Sequence, residues 1–363
     1  MRHSFLFTFG FIASSLSSLA GCSLSVDGSA YSTPEQVPST GLRFLLLGGS
    51  RAAATGNEAT SDVLWLALDP QGNPQSVTSA FGLPSGRVEG VLRNGEQLLV
   101  LGYNTEKRSF LARAEKAAGS LGAWLDAPVA DPPRTSSVTL LTHTAVFRLS
   151  GSSEVHEAPQ TDVAVATLQT SPLAISAWTT SPTKLRTPRW SPSALEANGF
   201  VYVVGGLTTP ESNPTALPDV EFSKLSNDKT TLGEFVTTNS LPMPLADVTL
   251  AATRTYLLAL GGKRKGLTTE SVDTIYAAAI DATSGALGVW KEVGRLPLPA
   301  SGIGAGAAGD RLVLVGGNLE QVDRFSPDIY VARVGADGML GAWQTNKSVQ
   351  LPGGYQGQFV IPF

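Results

Sequence analysis

Short runs of consecutive apolar residues, each closed by glycine, recur from Leu42 to the C-terminus. They read Leu45-Leu46-Leu47-Gly48-Gly49, Tyr202-Val203-Val204-Gly205-Gly206, Leu258-Ala259-Leu260-Gly261-Gly262 and Leu312-Val313-Leu314-Val315-Gly316-Gly317. A run of that length predicts a strand buried on both faces, and the glycines belong where backbone must approach closely. The second doublet position falls at Gly49, Tyr103, Gly151, Gly206, Gly262 and Gly317, so the pattern returns roughly every 55 residues and implies one supersecondary unit that must stack on copies of itself. A later aromatic keeps the same rhythm at Trp124, Trp178, Phe235, Trp290 and Trp343, with Val77 in its place in the first unit.

One unit, around Asp219, shows every part. Phe200 to Val204 is a strand, Leu207 to Pro218 a variable loop, Val220 to Leu225 a second strand, and Phe235 leads another. Ala246 to Thr253 then begins the next unit. Four short strands joined by Gly, Pro, Asp and Asn turns make a propeller blade. The doublet, the later aromatic and the spacing resemble the kelch family of β-propellers over nearly all of Leu42 to Phe363. The Leu-Gly-x-Trp turn, as in Leu121-Gly122-Ala123-Trp124 and Leu340-Gly341-Ala342-Trp343, is similar to that of exported bacterial relatives. Two units carry only part of the doublet, Gly102-Tyr103 and Ser150-Gly151. The expected fold is all-β, a six-bladed β-propeller of four-stranded antiparallel blades spanning residues 41–363. The chain begins this region without a first strand and ends in Tyr355 to Ile361, so the C-terminal strand is expected to join the N-terminal blade and close the ring.

The N-terminus follows a different pattern. Arg2 precedes a mostly apolar, serine-containing stretch from Phe5 to Ala20, too short to remain as a spanning helix. It ends in Leu19-Ala20-Gly21-Cys22, which resembles the lipobox of bacterial lipoproteins. The resemblance implies that residues 1–21 are a signal peptide, that Cys22, the single cysteine, is acylated, and that the lipid holds the protein on a membrane. Ser23 rather than Asp follows it, which points to the outer membrane. Residues 22–40 then read as the lipidated cysteine and a disordered tether rich in Ser, Thr and Pro.

Composition narrows the function classes. With 15% charged residues and a net charge of −4, the chain has no electrostatic footprint for nucleic acid, and a monomer is expected. Of three histidines only His143 and His156 follow Cys22, so a Cys/His zinc cluster is not available and no metal or cofactor is expected. The copper radical oxidases that share the kelch scaffold need a cysteine crosslinked to tyrosine, which this chain does not supply. Gly302-Ile303-Gly304-Ala305-Gly306 matches a dinucleotide fingerprint only superficially, since no helix follows it. Its glycines let neighbouring strands pack.

Candidate ligand-binding residues are Arg87, Arg134 and Arg189, each just after a proline-containing turn at the start of an innermost strand. Three guanidinium forks converging on the channel mouth could grip a carboxylate or phosphate; pairing with a neighbouring carboxylate or backbone is the structural alternative. Asp247, Ser301 and Tyr355 stand near the same level in the other blades. Asp62, Asp162, Asp219, Asp273 and Asp328 all open a third strand, and five such placements argue for a turn device. The reading favoured is an exported, lipid-anchored envelope propeller that binds or scaffolds a protein or glycan through its loop face, without catalysis. The alternative is a periplasmic sugar-acid enzyme, since some kelch propellers interconvert sialic acid anomers.

Overall fold

The computed structural model describes residues 23–25, 41–53, 56–80, 82–83, 87–95, 97–103, 109–117, 120–121, 124–128, 136–152, 158–208, 215–264, 270–319 and 324–363. Cys22, residues 1–21, residues 26–40 and Arg134 lie outside them. Among the described residues there is no helix. The chain is all-β, built of antiparallel sheets that follow one another along the sequence, an arrangement consistent with a β-propeller-like fold.

In the first sheet the strand order is Phe359–Pro362, Arg43–Leu47, Val63–Leu68 and Pro74–Ser79. The second runs Arg87–Asn94, Gln97–Tyr103, Ser109–Ala117 and Leu125–Pro128. The third runs Val138–Leu141, Ala145–Leu149, Asp162–Thr170 and Thr179–Lys184. The fourth is Ser193–Ala197, Phe200–Val204, Val220–Lys224 and Val236–Thr237. The fifth is Thr249–Ala252, Tyr256–Leu260, Thr274–Ala279 and Lys291–Arg295.

The last sheet has three strands, Gly304–Ala308, Arg311–Val315 and Ile329–Arg333. Its expected fourth strand is reduced to isolated bridges, Val331 with Gln344 and Val334 with Leu340. The chain leaves there towards the first sheet, where the Asn346 amide donates to the Pro74 carbonyl at 3.1 Å.

The C-terminal strand pairs antiparallel with Arg43–Leu47, Phe44 opposite Pro362 and Leu47 opposite Phe359. Innermost strands of successive sheets lie side by side: Phe359–Pro362 against Gly304–Ala308, that strand against Thr249–Ala252, and so on through Ser193–Ala197 and Val138–Leu141 to Arg87–Asn94. Arg93 then reaches back, donating from Nη1 to the Pro362 carbonyl at 2.9 Å.

Apolar runs fill both faces of each sheet because neighbours stack on both sides. Leu46 and Leu66 of the first sheet share a cluster with Val313 and Val331 of the last. On the opposite face Leu45 and Trp65 meet Val91 and Val100 of the second. Burial of one such side chain contributes about 1.5–3 kcal/mol, so consecutive apolar residues are stabilising here, where a one-sided sheet would need alternation.

The doublet has a specific physical reason. Gly205 and Gly206 have φ of 62° and 97°, and a Cβ on Gly205 would stand 2.3 Å from the Leu245 carbonyl oxygen. The second glycine donates its N–H to the residue leading into the next sheet: Gly206 to Leu245 at 3.1 Å, Gly262 to Ala300 at 3.2 Å and Gly317 to Tyr355 at 2.8 Å. In the partial doublet Gly151 donates to the Arg189 carbonyl at 3.1 Å. Ser150 there keeps the left-handed φ, at 60°, and its hydroxyl donates to the same carbonyl at 2.6 Å. A hydroxyl replaces a clash with a hydrogen bond, which explains how serine is accepted.

The tether differs from expectation at one point. Ser23–Ser25 form a short strand, parallel to Arg87–Asn94 on one side and to Ser193–Ala197 on the other. Main-chain pairing of this kind needs no side-chain period, so the polar sequence did not signal it.

Candidate functional site at the inner-strand entrances

Five of the six inner strands begin in the same way. Ser136, Ser191, Asp247, Gly302 and Gly357 occupy one point of the repeat, and all have left-handed φ, between 44° and 67°. Neighbouring points are joined through backbone, Ser191 N–H to the Ser136 carbonyl at 2.8 Å and Gly357 N–H to the Gly302 carbonyl at 2.6 Å. One step further in, the Ser193 hydroxyl donates to the Val248 carbonyl and the Thr249 hydroxyl to the Ile303 carbonyl at 2.9 Å. Where glycine follows, the contact tightens: a Cβ on Gly304 would lie 2.8 Å from the Gln358 carbonyl, and one on Gly306 2.3 Å from that of Val360. These glycines serve strand packing, as the absence of a following helix implied.

The structure separates Arg87 from Arg189. Arg189 is fully buried. Its guanidinium donates to the carbonyls of Gly205 at 2.9 Å, Asp219 at 3.2 Å and Thr187 at 3.3 Å, and to Glu221 Oε1 at 2.5 Å. Glu221 is equally buried and also accepts the backbone N–H groups of Arg186 at 2.7 Å and Thr187 at 2.9 Å. Burial pushes the Arg189 pKa below its ordinary value, and the Glu221 carboxylate opposes the shift. Every polar atom of this side chain is spent inside the fourth sheet, the structural alternative for Arg189. Arg87 is half-buried and opens its strand opposite Tyr103. That register matches Ser191, not Arg189: Arg87 stands one residue nearer its doublet than Arg189 does, and a β-bulge at Glu89 shifts the strand by one more. The two arginines are therefore not at one repeat position. Arg134 lies outside the described residues.

A second buried ion pair escaped the sequence reading. Glu89, in the bulge, accepts a hydrogen bond from Arg148 across the seam between the second and third sheets, and Arg148 Nη1 also donates to the Ser137 hydroxyl at 3.3 Å. Both side chains are nearly inaccessible. The signal was present: Arg148 interrupts the otherwise apolar Ala145–Leu149 strand, and Glu221 interrupts Val220–Lys224. Charges in such strands are almost always paired.

Four of the five aspartates, Asp62, Asp162, Asp273 and Asp328, work differently from a simple loop cap. Loop closure is made by the hydroxyls of Thr60 and Ser326, which accept the N–H groups of Asp62 at 3.1 Å and Asp328 at 3.0 Å. Carboxylates reach instead towards the fourth strand or the region after it, Asp162 to Lys184 at 3.1 Å, Asp273 to Arg295 at 2.9 Å and Asp328 to Lys347 at 3.1 Å. Asp62 accepts the Tyr355 hydroxyl at 2.6 Å. Burial, then that hydrogen bond, raises the Tyr355 pKa above the ordinary phenol value.

Where they are described, the stems of the loops between second and third strands are paired. Ser50–Ala53 pairs with Gly56–Ala59 and also with Tyr355–Gln356. Lys263–Arg264 pairs with Glu270–Ser271, and Asn318–Leu319 with Arg324–Phe325. In the fourth sheet Leu207 bridges Ala216, and Thr208 N–H donates to the Thr215 carbonyl at 3.0 Å. Exposed charges of both signs, Arg51, Glu58, Arg264, Glu270 and Arg324, stand on this crown. Among the described residues no group of three or more His, Cys, Asp or Glu is placed to hold a metal, and no helix is long and apolar enough to cross a membrane.

No family model and no curated protein matches the chain. Solved structures do, 493 chains in all. One, described as "Structure of YjhT", aligns with a TM-score of 0.53 over 74% of this chain and 85% of its own, at 14% sequence identity. A likeness at that identity is one of fold alone.

Proposed function

We propose that the chain is a lipid-anchored, exported propeller of six kelch-like blades, closed by its C-terminal strand, that binds a protein or glycan through the hairpin crown. The observation that carries this reading is the pairing of the described loop stems, Ser50–Ala53 with Gly56–Ala59, Lys263–Arg264 with Glu270–Ser271 and Asn318–Leu319 with Arg324–Phe325, which carry exposed charge of both signs. Recognition surfaces work best on such ordered supports. The pairing of Phe359–Pro362 with Arg43–Leu47 and the side-by-side inner strands support six blades in a closed ring. The Leu19-Ala20-Gly21-Cys22 sequence supports acylation of Cys22 and an outer-membrane address.

The sugar-acid reading draws on the kelch resemblance and would rest on Arg87 and Arg134, with Arg189 confined to a structural role. Thermal shifts of the full chain in nanodiscs against envelope glycans, sialic acids and uronic acids separate the readings. The binding reading expects a stabilising glycan, or a protein ligand, whose effect is lost on Arg264→Glu with Arg324→Glu and kept on Arg87→Ala with Arg134→Ala. Stabilisation by a sugar acid that disappears only in the second pair of changes would overturn it in favour of the enzyme.

A further inference from the structure

Ser23–Ser25 are held as a middle strand between two sheets that are not neighbours in sequence. Ser23, Leu24 and Ser25 stand opposite Gly90, Val91 and Leu92 of the second sheet, while Leu24 and Ser25 stand opposite Leu195 and Glu196 of the fourth. Each flanking strand is paired antiparallel on its other edge, Arg87–Asn94 to Gln97–Tyr103 and Ser193–Ala197 to Phe200–Val204. Their inner edges would otherwise carry a row of backbone N–H and C=O groups without partners. The inner strand of the third sheet, Val138–Leu141, lies beside the same segment. Two parallel edges separated by two strand spacings, about 9.6 Å, accept one extended segment and satisfy it on both sides.

We propose that the inner edges of the second and fourth sheets form a strand-accepting slot, that its occupant is the chain's own Ser23–Ser25, and that acylation of Cys22 empties it. The emptying rests on the lipoprotein reading above. Cys22 is bonded directly to Ser23, so its Cα lies about 3.8 Å from that of the first residue in the slot. Acyl chains buried in a bilayer and a strand buried between sheets cannot be held one residue apart unless the slot itself meets the lipid. Many buried methylenes outweigh the hydrogen bonds of a three-residue strand. In the unanchored chain Ser23–Ser25 therefore occupy the two strand edges, and in the anchored chain those edges are free.

Three measurements on the full chain test this. In a Cys22→Ser background, Leu24→Cys with Val91→Cys places two cysteines on register partners within disulfide reach, whereas Leu24→Cys with Leu250→Cys does not. The slot predicts crosslinking at least about tenfold greater in the first pair; equal or absent crosslinking overturns it. Because Val91 is buried and its replacement could disturb the sheet, Leu24→Pro in the same background gives an independent reading. Losing the Leu24 N–H should speed amide exchange in 87–94 and 193–197 by about tenfold, and unchanged exchange overturns the slot. Finally, the chain retaining Cys22 is recovered from membranes, its N-terminal peptide weighed and its exchange measured in the bilayer. Acylated protein exchanging as fast as the Leu24→Pro variant supports emptying, and acylated protein exchanging as slowly as the Cys22→Ser chain overturns it. Unacylated protein overturns the lipoprotein reading and with it the emptying, while the first two measurements still decide the slot.

Discussion

Gly205 and Ser150 occupy the same doublet position and show how one atom decides tolerance. Gly205→Ala would put a methyl 2.3 Å from the Leu245 carbonyl at a φ of 62°. We expect it to cost about 2–4 kcal/mol in chemical denaturation, from strain and displacement of a backbone that joins two sheets. Ser150→Gly removes the hydrogen bond to the Arg189 carbonyl and relieves the left-handed penalty, so its net effect should stay within about 1 kcal/mol. Arg189 and Glu221 give a sharper contrast. Glu221→Ala leaves a guanidinium buried without its counter-charge and should cost about 3–5 kcal/mol, whereas Arg189→Met with Glu221→Leu should cost distinctly less. A double change as damaging as the single one would contradict a buried-pair account.

At the scale of elements, the side chains that close each unit set its response to pH. Asp328 is pushed up by burial, but hydrogen bonds from Gln350, Lys347 and Tyr330 prevail and hold its pKa below the ordinary carboxylate value. A depressed folded pKa means stability present above the unfolded value and lost as pH falls through the folded one. Asp328→Asn should therefore flatten the acid limb of a stability–pH curve below roughly pH 4 while shifting the neutral plateau downward. Tyr330 moves the other way, its pKa pushed up to about 12 by burial first and then by the Asp328 charge. Its contribution is complete below the unfolded value, near 10, and fades as pH rises through 12; Tyr330→Phe should remove that alkaline loss. The outer aromatics also act between units: Trp290 Nε1 donates to the Asn239 carbonyl at 2.8 Å and Trp343 Nε1 to the Arg295 carbonyl at 2.7 Å. Trp343→Phe keeps the ring and removes the latch, and should cost about 1 kcal/mol in the same denaturation measurement.

For the whole molecule, the meeting of the C-terminal strand with Arg43–Leu47 is the point most exposed to truncation. Phe363 packs its ring edge-on against Trp65 at 5.2 Å and lies under the Arg93 guanidinium at 4.7 Å. Arg311 Nη2 donates to the Gln71 carbonyl at 2.9 Å, tying the last sheet to a turn of the first. Removing residues 355–363 takes away an inner strand, the Tyr355–Asp62 bond and the Phe363 contacts with Trp65 and Arg93 together. The expected result is loss of cooperative unfolding by calorimetry, and a truncated chain that melts like the intact one would refute the pairing as a stabilising element. Arg93→Ala alone should cost about 1–2 kcal/mol, through its hydrogen bond and its cation–π contact.

The sequence by itself determined the strands and their order, because apolar runs, glycine doublets and outer aromatics report burial and backbone approach, which are local demands repeated in every unit. It likewise placed the C-terminal strand beside Arg43–Leu47, since a unit lacking its first strand and an unused strand at the far end have one mutual solution. What only the tertiary structure decided was the fate of individual polar groups. Arg87 and Arg189 look alike along the chain, yet one is half-buried and the other locked onto Glu221; they stand two places apart in the sheet register, one residue of it readable in the spacing and the other added by the bulge at Glu89. The aspartates were legible as structural, but their partners were not: Asp162 and Asp273 meet Lys184 and Arg295 of the fourth strand, brought near by pairing in the sheet, while Asp62 meets Tyr355 from the far end of the sequence. The slot that receives Ser23–Ser25 was invisible for the plainest reason: it is made of backbone edges, and backbone has no sequence.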